Sequence, residues 1–336
     1  MIDEALLRVM SEHAGSAQAY SRPPSPLTGG FWAAIYTFEL DSPPAELRGP
    51  LVLRVMPTRG PVSETIVQRE VAEQGYPTPR VLADGVDDDL GGAFMVMEHV
   101  DGEKLLAGLG LGRLLLQLPA TLRRLAHQMS AAELRLHALD PMPVVDALVA
   151  AGINIGALGV EARMAEVRSA AANTAAGFEG VLAWLDRHRP AMTPAVICHG
   201  DIHPFNMLVT DDGSFNVLDW TNGNLCRREY DVGFTAALLQ CAPLGGPRVV
   251  QRPIGAITGS LAHRFVDSYR RIAPINLDVV EWFETLQYAR CLAAVATSPL
   301  DHPIIGEKHP FRLAAPAMIR QLAMITETTI ELPPTQ

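Results

Sequence analysis

Three polar residues stand at spacings that suit phosphate chemistry. Asp201 closely follows the apolar run 195–198, Asn206 comes five residues after Asp201, and Asp219 comes thirteen residues after Asn206. Two apolar segments on either side of the Asp-Gly pair at 212–213 favour a β-hairpin that ends near Asp219. A loop followed by such a hairpin can direct two carboxylates and an amide oxygen to one divalent cation. This set fits phosphoryl transfer, in which a carboxylate orients a hydroxyl and oxygen ligands hold Mg²⁺.

The composition is that of a globular protein with a negative net charge. Of the 336 residues, 48% are hydrophobic and 19% are charged, and the formal net charge is −10. No dense run of Lys and Arg is present, which argues against a nucleic-acid partner. No apolar run reaches the roughly 18–20 residues that a membrane span needs, and the start of the chain lacks the pattern of a secretory signal. We therefore expect neither a nucleic-acid nor a membrane partner.

The cysteine pattern predicts a reducing compartment. The four cysteines form no C-x-x-C pair and are too few for a disulfide framework; they are Cys198, Cys226, Cys241 and Cys291. We expect each to be a small buried apolar residue, in a protein of the cytoplasm.

The predicted elements change in character near residue 101. Strand patterns lie at 31–40, 51–55 and 94–100, and helix patterns at 1–20, 63–74, 118–139, 160–188, 277–297 and 316–326. The Pro-rich stretch 21–26 is predicted to break the chain. The sequence thus predicts an α+β, bilobal fold, with a small β-rich N-terminal lobe (1–101) and a larger, mainly helical C-terminal lobe (102–336). A cleft between two such lobes is a usual place for a ligand.

The segments 199–206 (His-Gly-Asp-Ile-His-Pro-Phe-Asn) and 217–220 (Val-Leu-Asp-Trp) carry a family resemblance. They resemble the catalytic and metal-binding motifs of the aminoglycoside phosphotransferase and choline kinase family, relatives of protein kinases. The resemblance implies a protein-kinase-like fold. It also implies that Asp201 is the catalytic base and that Asn206 and Asp219 bind Mg²⁺.

The same resemblance implies structural roles for two other residues. Asp231 is expected to hold the catalytic loop through hydrogen bonds to the backbone, as the matching Asp does in relatives. His199 is expected to bond to the backbone of that loop rather than to take part in the reaction.

The resemblance spans residues 25–300 and extends to a nucleotide site. It implies that Arg54 stands where the family usually has a phosphate-binding lysine, and that Glu70 on the next helix holds this cation. It also implies a glycine loop over the phosphates and a hinge for adenine. These two segments are Thr28, Gly29, Gly30 and Phe31 for the loop, and Met97, Glu98, His99 and Val100 for the hinge.

The resemblance leads to the hypothesis of an ATP- or GTP-dependent phosphotransferase that acts on a hydroxyl of a small molecule. Arginine keeps its charge but is not equivalent to lysine in geometry. Arg54 and the sparse glycine loop therefore support an alternative hypothesis, a nucleotide-binding or regulatory module that keeps the kinase fold without catalysis.

The residues that would bind the acceptor are less clearly marked. Candidates are His203 in the catalytic loop and four residues of a later helix, namely Asp278, Glu281, Glu284 and Tyr288. Acidic residues at the start of a helix are also favoured by the helix macrodipole alone.

Charge does not favour a polycationic acceptor. Residues 1–102 carry 15 acidic and 7 basic side chains (−8), and residues 103–336 carry 22 and 20 (−2). Capture of a polycation would be aided by a strongly acidic second lobe. An aminoglycoside, a macrolide-like compound, a sugar, an amino alcohol and a hydroxyacyl compound all stay open, as does the oligomeric state.

Overall fold

The computed structural model describes most of the chain. The described residues are 2–27, 33–58, 62–105, 118–174, 176–191, 193–210, 213–242, 248–302 and 304–332, without the side chains of 248–253. The predicted phosphate loop, Thr28, Gly29, Gly30 and Phe31, lies outside them.

The chain contains both α-helices and β-strands. The α-helices are α1 (Ile2–Ala14), α2 (Ser63–Glu73), α3 (Leu118–Leu136), α4 (Met142–Ala150), α5 (Val160–Asn173), α6 (Phe178–Arg187), α7 (Arg228–Gln240), α8 (Arg248–Arg270), α9 (Leu277–Thr297) and α10 (Pro310–Thr326). The strands are β1 (Tyr20–Pro26), β2 (Ala34–Leu40), β3 (Leu51–Met56), β4 (Val81–Asp87), β5 (Gly92–Glu98), β6 (Glu103–Lys104), β7 (Val196–Cys198), β8 (Met207–Val209), β9 (Phe215–Val217) and β10 (Asn224–Cys226). Within the described part of the chain, no helix combines the length and the apolar character needed to cross a membrane.

The chain divides into two compact units. The first consists of Met1–Glu103, Met142–Ile153 and Leu208–Thr221, and the second of Lys104–Pro141, Asn154–Met207 and Asn222–Gln336. The first boundary lies beside the one expected at residues 101 and 102. Two later segments, which the sequence assigned to the C-terminal lobe, belong to the first unit because α4 packs against α2 and the β8–β9 hairpin bonds to residues 77 and 78.

The first unit is built on a five-stranded antiparallel sheet of order β1-β2-β3-β5-β4. β1 contains three prolines, and the prediction of a chain break at 21–26 was wrong. Because β1 pairs only with β2, it forms an edge of the sheet, where missing N–H donors are tolerated.

The alternation of β3 places its residues on two faces of this sheet. Leu51, Leu53 and Val55 enter a core that also contains Leu6 and Met10 of α1. Val52 and Met56 belong to a smaller apolar cluster on the other face, together with Met95 and Met97 of β5. Arg54 has the parity of this second face and pairs in register with Met95. The sequence pattern of β3 therefore directs one charged side chain away from the main core.

The second unit has a helical core. Its largest side chains are fully buried aromatic residues that pack edge to face, among them Tyr230, Phe234, Trp282 and Phe283. The Trp282 indole N–H donates to the carbonyl oxygen of Leu185 at 2.8 Å. This contact joins α9 to α6 and satisfies the polar atom of a buried indole.

The α+β fold class is confirmed, and the structure adds elements that were not predicted, among them α4, α7, α8, β1 and β4. The helix pattern at 118–139 corresponds to α3, which ends at Leu136. Gly177 separates α5 from α6 with a positive φ of 82°, whereas Gly180 lies inside α6. The pattern at 63–74 corresponds to α2, which begins at Ser63. All four cysteines are free and buried, as expected.

Replacing a buried leucine of α1 tests whether this helix stabilises the first unit. Leu6 is fully buried, so Leu6→Ala should lower the free energy of unfolding by about 2–5 kcal/mol through lost burial and a cavity. Leu313 on α10 is 45% exposed, and Leu313→Ala should change it by about 0.5 kcal/mol or less. Urea unfolding followed by circular dichroism measures both. Equal effects of the two changes would contradict a supporting role for α1.

Candidate active site

The loop 199–206 lies in the second unit and brings Asp201 and Asn206 together. The Asn206 side-chain Nδ2 donates to the backbone oxygen of Asp201 and to its Oδ2, each at 3.1 Å. His203 Nε2 lies 3.5 Å from Asp201 Oδ1, so this predicted substrate residue is beside the carboxylate. Since the amide nitrogen of Asn206 is used on Asp201, its amide oxygen is the atom that it can offer to a cation.

Asp231 holds the start of this loop. Its carboxylate accepts the backbone N–H of His199 at 2.8 Å and that of Gly200 at 2.5 Å. His137 Nε2 lies 3.0 Å from the same carboxylate, and His137 Nδ1 lies 2.7 Å from the hydroxyl of Tyr269. The structural role expected for Asp231 is confirmed. Through these contacts, Asp231 on α7 connects His137 at the end of α3 and Tyr269 of α8 to the loop that carries Asp201.

His199 and Gly200 shape the turn before Asp201. His199 is fully buried, and its Nδ1 accepts the N–H of Asp201 at 3.2 Å, as expected of a structural histidine. Gly200 has a φ of 75°, and a Cβ there would lie 2.9 Å from the backbone oxygen of Asn222. Only glycine fits both this conformation and this close approach.

Arg54 lies at the centre of a polar cluster in the first unit. Its Nη2 is 3.1 Å from Glu64 Oε1, 3.1 Å from Asp219 Oδ1 and 2.8 Å from Thr221 Oγ1. Thr221 Oγ1 is also 2.6 Å from Asp219 Oδ1 and 3.2 Å from Glu64 Oε2, and its one hydrogen can serve only one of them at a time. The side chains of Arg54 and Glu64 are 8% and 5% exposed, whereas that of Asp219 is 35% exposed. The cluster is therefore open to solvent at Asp219 and Thr221.

The prediction that Glu70 holds Arg54 was wrong, because Glu64 does so. Six residues of α2 separate the two glutamates, a net rotation of about 240° around the helix axis, so both cannot face Arg54. Sequence reasoning missed Glu64 because a Glu in the first turn is also favoured by the helix dipole. It missed Thr221 as well, whose position two residues after Asp219 carried no distinct signal.

Burial has a clear electrostatic effect on Glu64. Loss of solvent raises the pKa of its carboxyl, the charge of Arg54 lowers it, and the nearby Asp219 raises it again. The guanidinium thus offsets part of the cost of burying a carboxylate, as expected for a buried ion pair.

Asp219 has an uncommon backbone conformation. Its φ is 67°, in the left-handed region that non-glycine residues rarely adopt, although Asp tolerates it better than most. The next residue fixes this turn, since Trp220 is fully buried and its indole N–H donates to Thr78 Oγ1 at 2.9 Å. Tyr76 packs edge to face on the same indole, with ring centroids 5.7 Å apart. Such conformations concentrate at functional sites.

The predicted hinge at 97–100 is already partly hydrogen-bonded. The N–H of Glu98 donates to Arg80 at 3.1 Å, and the N–H of His99 donates to Pro50 at 3.2 Å. The Glu98 carboxylate accepts the backbone N–H and the Nε of Arg80, at 3.0 and 2.9 Å. Adenine therefore cannot use the N–H groups of Glu98 and His99. In the described part of the chain, the N–H of Val100 has no backbone partner.

Two of the predicted substrate residues lie far along α9 from the level of Asp201. Arg290 of α9 donates Nη2 to Asn222 Oδ1 at 2.9 Å, and the backbone oxygen of Asn222 lies 2.9 Å from where a Cβ of Gly200 would be. The loop before Asp201 thus approaches α9 near the level of Arg290 and Cys291. At 1.5 Å per residue, Asp278 and Glu281 lie about 20 and 15 Å from that level along the helix axis. The structure does not bring these two exposed carboxylates to the catalytic loop.

Glu284 and Tyr288 belong to a largely buried hydrogen-bonded group. Gln240 Nε2 donates to Glu284 Oε1 at 3.0 Å, and the fully buried Tyr288 donates its hydroxyl to Gln240 Oε1 at 3.1 Å. Burial raises the pKa of Glu284 to about 8, Glu281 adds to the increase, and the bond from Gln240 lowers it. Because Tyr288 has no exposed surface, the prediction that it contacts substrate was wrong.

A sequence profile of a known family matches most of the chain. The profile describes the phosphotransferase enzyme family (APH) and matches residues 37–275. The chain belongs to the APH family. The prediction of an aminoglycoside phosphotransferase-like protein with a protein-kinase-like fold is confirmed, and with it the coarse prediction of a kinase-type phosphotransferase. A search of curated protein sequences found no match.

Solved structures share the fold of this APH family member. A candidate aminoglycoside phosphotransferase from Ralstonia eutropha JMP134 is 18% identical, with 96% of this chain and 98% of that chain covered and a TM-score of 0.58. The GDP complex of aminoglycoside 2'-phosphotransferase-IIIa is 15% identical over 95% and 99% of the two chains, with a TM-score of 0.57. A thermostable mutant of aminoglycoside phosphotransferase APH(4)-Ia, in complex with ADP and hygromycin B, is 16% identical over 94% and 98%, with a TM-score of 0.54. At these identities the likeness establishes the fold and not the substrate.

Glu64 and Glu70 form a matched pair for testing the role of the Arg54 cluster. Glu64→Gln removes the negative charge that pairs with the buried Arg54, so the guanidinium would lose its fixed position. We expect the affinity for Mg-ATP to fall about tenfold or more, which corresponds to about 1.4 kcal/mol. Glu70→Gln should leave the affinity within about twofold, as expected for a change outside the cluster. Calorimetric titration measures both. A larger loss of affinity with Glu70→Gln than with Glu64→Gln would contradict the assignment of Glu64 as the partner of Arg54.

The raised pKa of Glu284 predicts a dependence of stability on pH. The native carboxyl keeps its proton up to about pH 8, whereas an ordinary carboxyl releases it near 4.5. The unfolded chain therefore binds fewer protons in this window, and stability should fall as pH rises through it. Glu284→Gln keeps the acceptor for Gln240 but cannot ionise, so it should flatten this fall.

The measurement is urea unfolding between pH 5 and 8 for the wild type and the variant. The difference should be at most several kcal/mol, since one pKa unit corresponds to about 1.4 kcal/mol. The exposed Glu307 provides a control, and Glu307→Gln should keep the wild-type pH dependence. Identical pH dependence of the wild type and Glu284→Gln would contradict the raised pKa.

Proposed function

We propose that this protein transfers the γ-phosphoryl group of ATP or GTP to a hydroxyl of a small molecule. The observation that supports this most strongly is the cluster in which Arg54 bonds to Glu64 and Asp219. A kinase-type site needs a fixed cation for the phosphates and a carboxylate for the metal, and the cluster offers both. Membership in the APH family supports the same reaction class. The four buried thiols are in keeping with the reducing cytoplasm as its place of action.

In the proposed reaction, Asp201 orients the acceptor hydroxyl and takes its proton. Its side chain is 25% exposed, so a substrate can reach it. Asn206 and His203 approach its two carboxylate oxygens and limit the rotation of the group. Asp231 fixes the backbone of residues 199 and 200, directly before Asp201. Positioning of this kind is a main source of rate in phosphoryl transfer, where the protein does little covalent chemistry.

The residues assigned to magnesium suit it chemically. Asp219 offers a carboxylate and Asn206 an amide oxygen, which are the hard oxygen ligands that Mg²⁺ prefers. When bound, Mg²⁺ would neutralise charge on the phosphates. The side chain of Asp219 is 35% exposed, so a metal ion can reach it.

Arg54 is proposed to bind the phosphates in place of the usual lysine. Its Nε is buried and has no hydrogen-bond partner among the described residues. A phosphate oxygen would satisfy this donor. We assign adenine to the hinge, with the N–H of Val100 as the donor, because those of Glu98 and His99 already have backbone partners.

The acceptor is proposed only as a class, a small molecule that carries a hydroxyl. His203 is the predicted substrate residue that lies beside Asp201. Phe205, 57% exposed in the same loop, adds an aromatic surface that sequence reasoning did not single out. The positions of Asp278 and Glu281 give no support to a polycationic acceptor held at the start of α9.

Asp201→Asn tests the proposed reaction. The change keeps an acceptor for Asn206 but removes the base, so turnover should fall about 10²–10⁴-fold. Mg-ATP affinity should stay within about twofold of the wild type, because binding does not use Asp201. Asp278→Asn, an exposed position on α9, serves as the control and should leave both quantities unchanged. The assay follows phosphate transfer from labelled ATP and GTP across a panel of amino alcohols, sugars, aminoglycosides, macrolides and hydroxyacyl compounds.

Two results would contradict the proposal. Wild-type turnover by Asp201→Asn would remove Asp201 from the mechanism. If the wild type binds Mg-ATP but transfers phosphate to no member of the panel, the alternative of a nucleotide-binding or regulatory module without catalysis is favoured.

A further inference from the structure

A groove in the second unit lies between α3 and the C-terminal part of α8. It has a volume of about 420 Å³, which is in the range of small-molecule sites. Its described walls combine basic side chains with apolar surface, and they consist of Arg123, Ala126, His127, Arg264, Ser268, Arg271 and Ile272. None of these residues takes part in the site proposed above.

The three arginines of the groove lack carboxylate partners. Among the described residues, no Asp or Glu oxygen comes within 4.0 Å of Arg123, Arg264 or Arg271. Other arginines of the same unit, such as Arg227 and Arg290, pair with glutamates at 2.8 Å. In a chain of net charge −10, three unpaired guanidinium groups in one groove form a local positive field.

The hydrogen bonds of these arginines leave most of their donors free. Arg123 and Arg271 each donate Nε to a carbonyl oxygen of their own helical segment, at 3.3 and 2.9 Å. The carboxylate nearest in sequence, Asp267, pairs with Arg270 at 2.9 Å. The terminal nitrogens of Arg123 and Arg271 are therefore available to a ligand.

Arg264 supplies a second, independent observation. Its Nε is shielded from solvent and has no hydrogen-bond partner among the described residues. A buried donor of a charged group without a partner is unfavourable, and such atoms in native structures usually mark a missing ligand or water. Arg264 also borders an adjoining cavity of about 620 Å³, so a ligand bound to it has room beyond its anionic group.

The groove is connected to the catalytic loop through α3. Further along this helix, Glu133 Oε1 lies 2.8 Å from the hydroxyl of Thr235, which lies 3.0 Å from the carbonyl oxygen of Ile202. Arg123 and His127 precede Glu133 by ten and six residues, or about 15 and 9 Å along the helix axis. The groove thus lies on the same helix as a residue that contacts the loop through Thr235.

We infer that this groove binds the phosphate or carboxylate group of a small molecule through Arg123, Arg264 and Arg271. Guanidinium groups match both oxyanions by donating two parallel hydrogen bonds. The oxyanion belongs either to the acceptor itself or to a separate effector, and these two sources share the same chemistry.

The binding test does not depend on the proposed function. The side-chain Nε–Hε resonance of Arg264, assigned by its loss in Arg264→Gln, is followed by NMR while inorganic phosphate or succinate is added. We expect a saturable shift beyond that caused by sodium chloride at equal ionic strength. Arg123→Gln, an exposed change with little effect on folding, should weaken binding about tenfold. The exposed Arg187 of α6 is the matched control, and Arg187→Gln should bind like the wild type.

The inference is overturned if neither anion gives a saturable shift, or if Arg123→Gln and Arg264→Gln together leave phosphate binding, measured by calorimetry, unchanged. Steady-state kinetics then separates the two sources. For an oxyanion of the acceptor, Arg264→Gln should raise KM about tenfold for acceptors with a phosphate or carboxylate and leave neutral acceptors unaffected. For a separate effector, Arg264→Gln should leave KM unaffected for charged and for neutral acceptors. If the protein transfers phosphate to no acceptor but the NMR shift is still observed, the proposed function is rejected and the assignment of the groove as an anion site is retained.

Discussion

The interaction on which the candidate site depends is the contact of Arg54 with two carboxylates. A guanidinium that is 8% exposed must be paired, and Glu64 and Asp219 provide the negative charge that makes its burial tolerable. The same contact joins a central strand, the first turn of α2 and the turn after the β8–β9 hairpin. It thereby fixes the position of Asp219 relative to the sheet. Removing one partner would leave a buried charge uncompensated, which is why the three residues act as a group.

A second constraint acts on the catalytic loop in the other unit. Asp231 is almost fully buried and accepts two backbone N–H groups as well as a bond from His137. Bonds of this kind define the backbone more strictly than packing does, since each has a required distance and direction. The loop itself is partly exposed, so its geometry has to be maintained by the buried groups that it contacts. Asp201 gains a defined position without losing access to solvent.

The basic groove shows that charge is organised locally in this protein. The net charge of the chain is negative, and several arginines of the second unit pair with acidic residues. Arg123 is 141 residues from Arg264 and 148 from Arg271 in sequence, and the three come together because α3 packs along α8. The sequence contains no dense run of basic residues that would predict such a site.

The sequence by itself determined the fold class and marked 199–206 as the candidate catalytic loop. Strand and helix periodicities, and a motif whose members lie within 21 residues (199–219), are local patterns that follow from backbone geometry. Tertiary structure decided which glutamate of α2 meets Arg54, because the rotation of a helix against a sheet depends on packing and not on the order of residues. It also decided that Tyr288 is buried and that Asp278 lies far along α9 from the level of Asp201. Distances between segments arise from long-range contacts, and one sequence read residue by residue does not contain them.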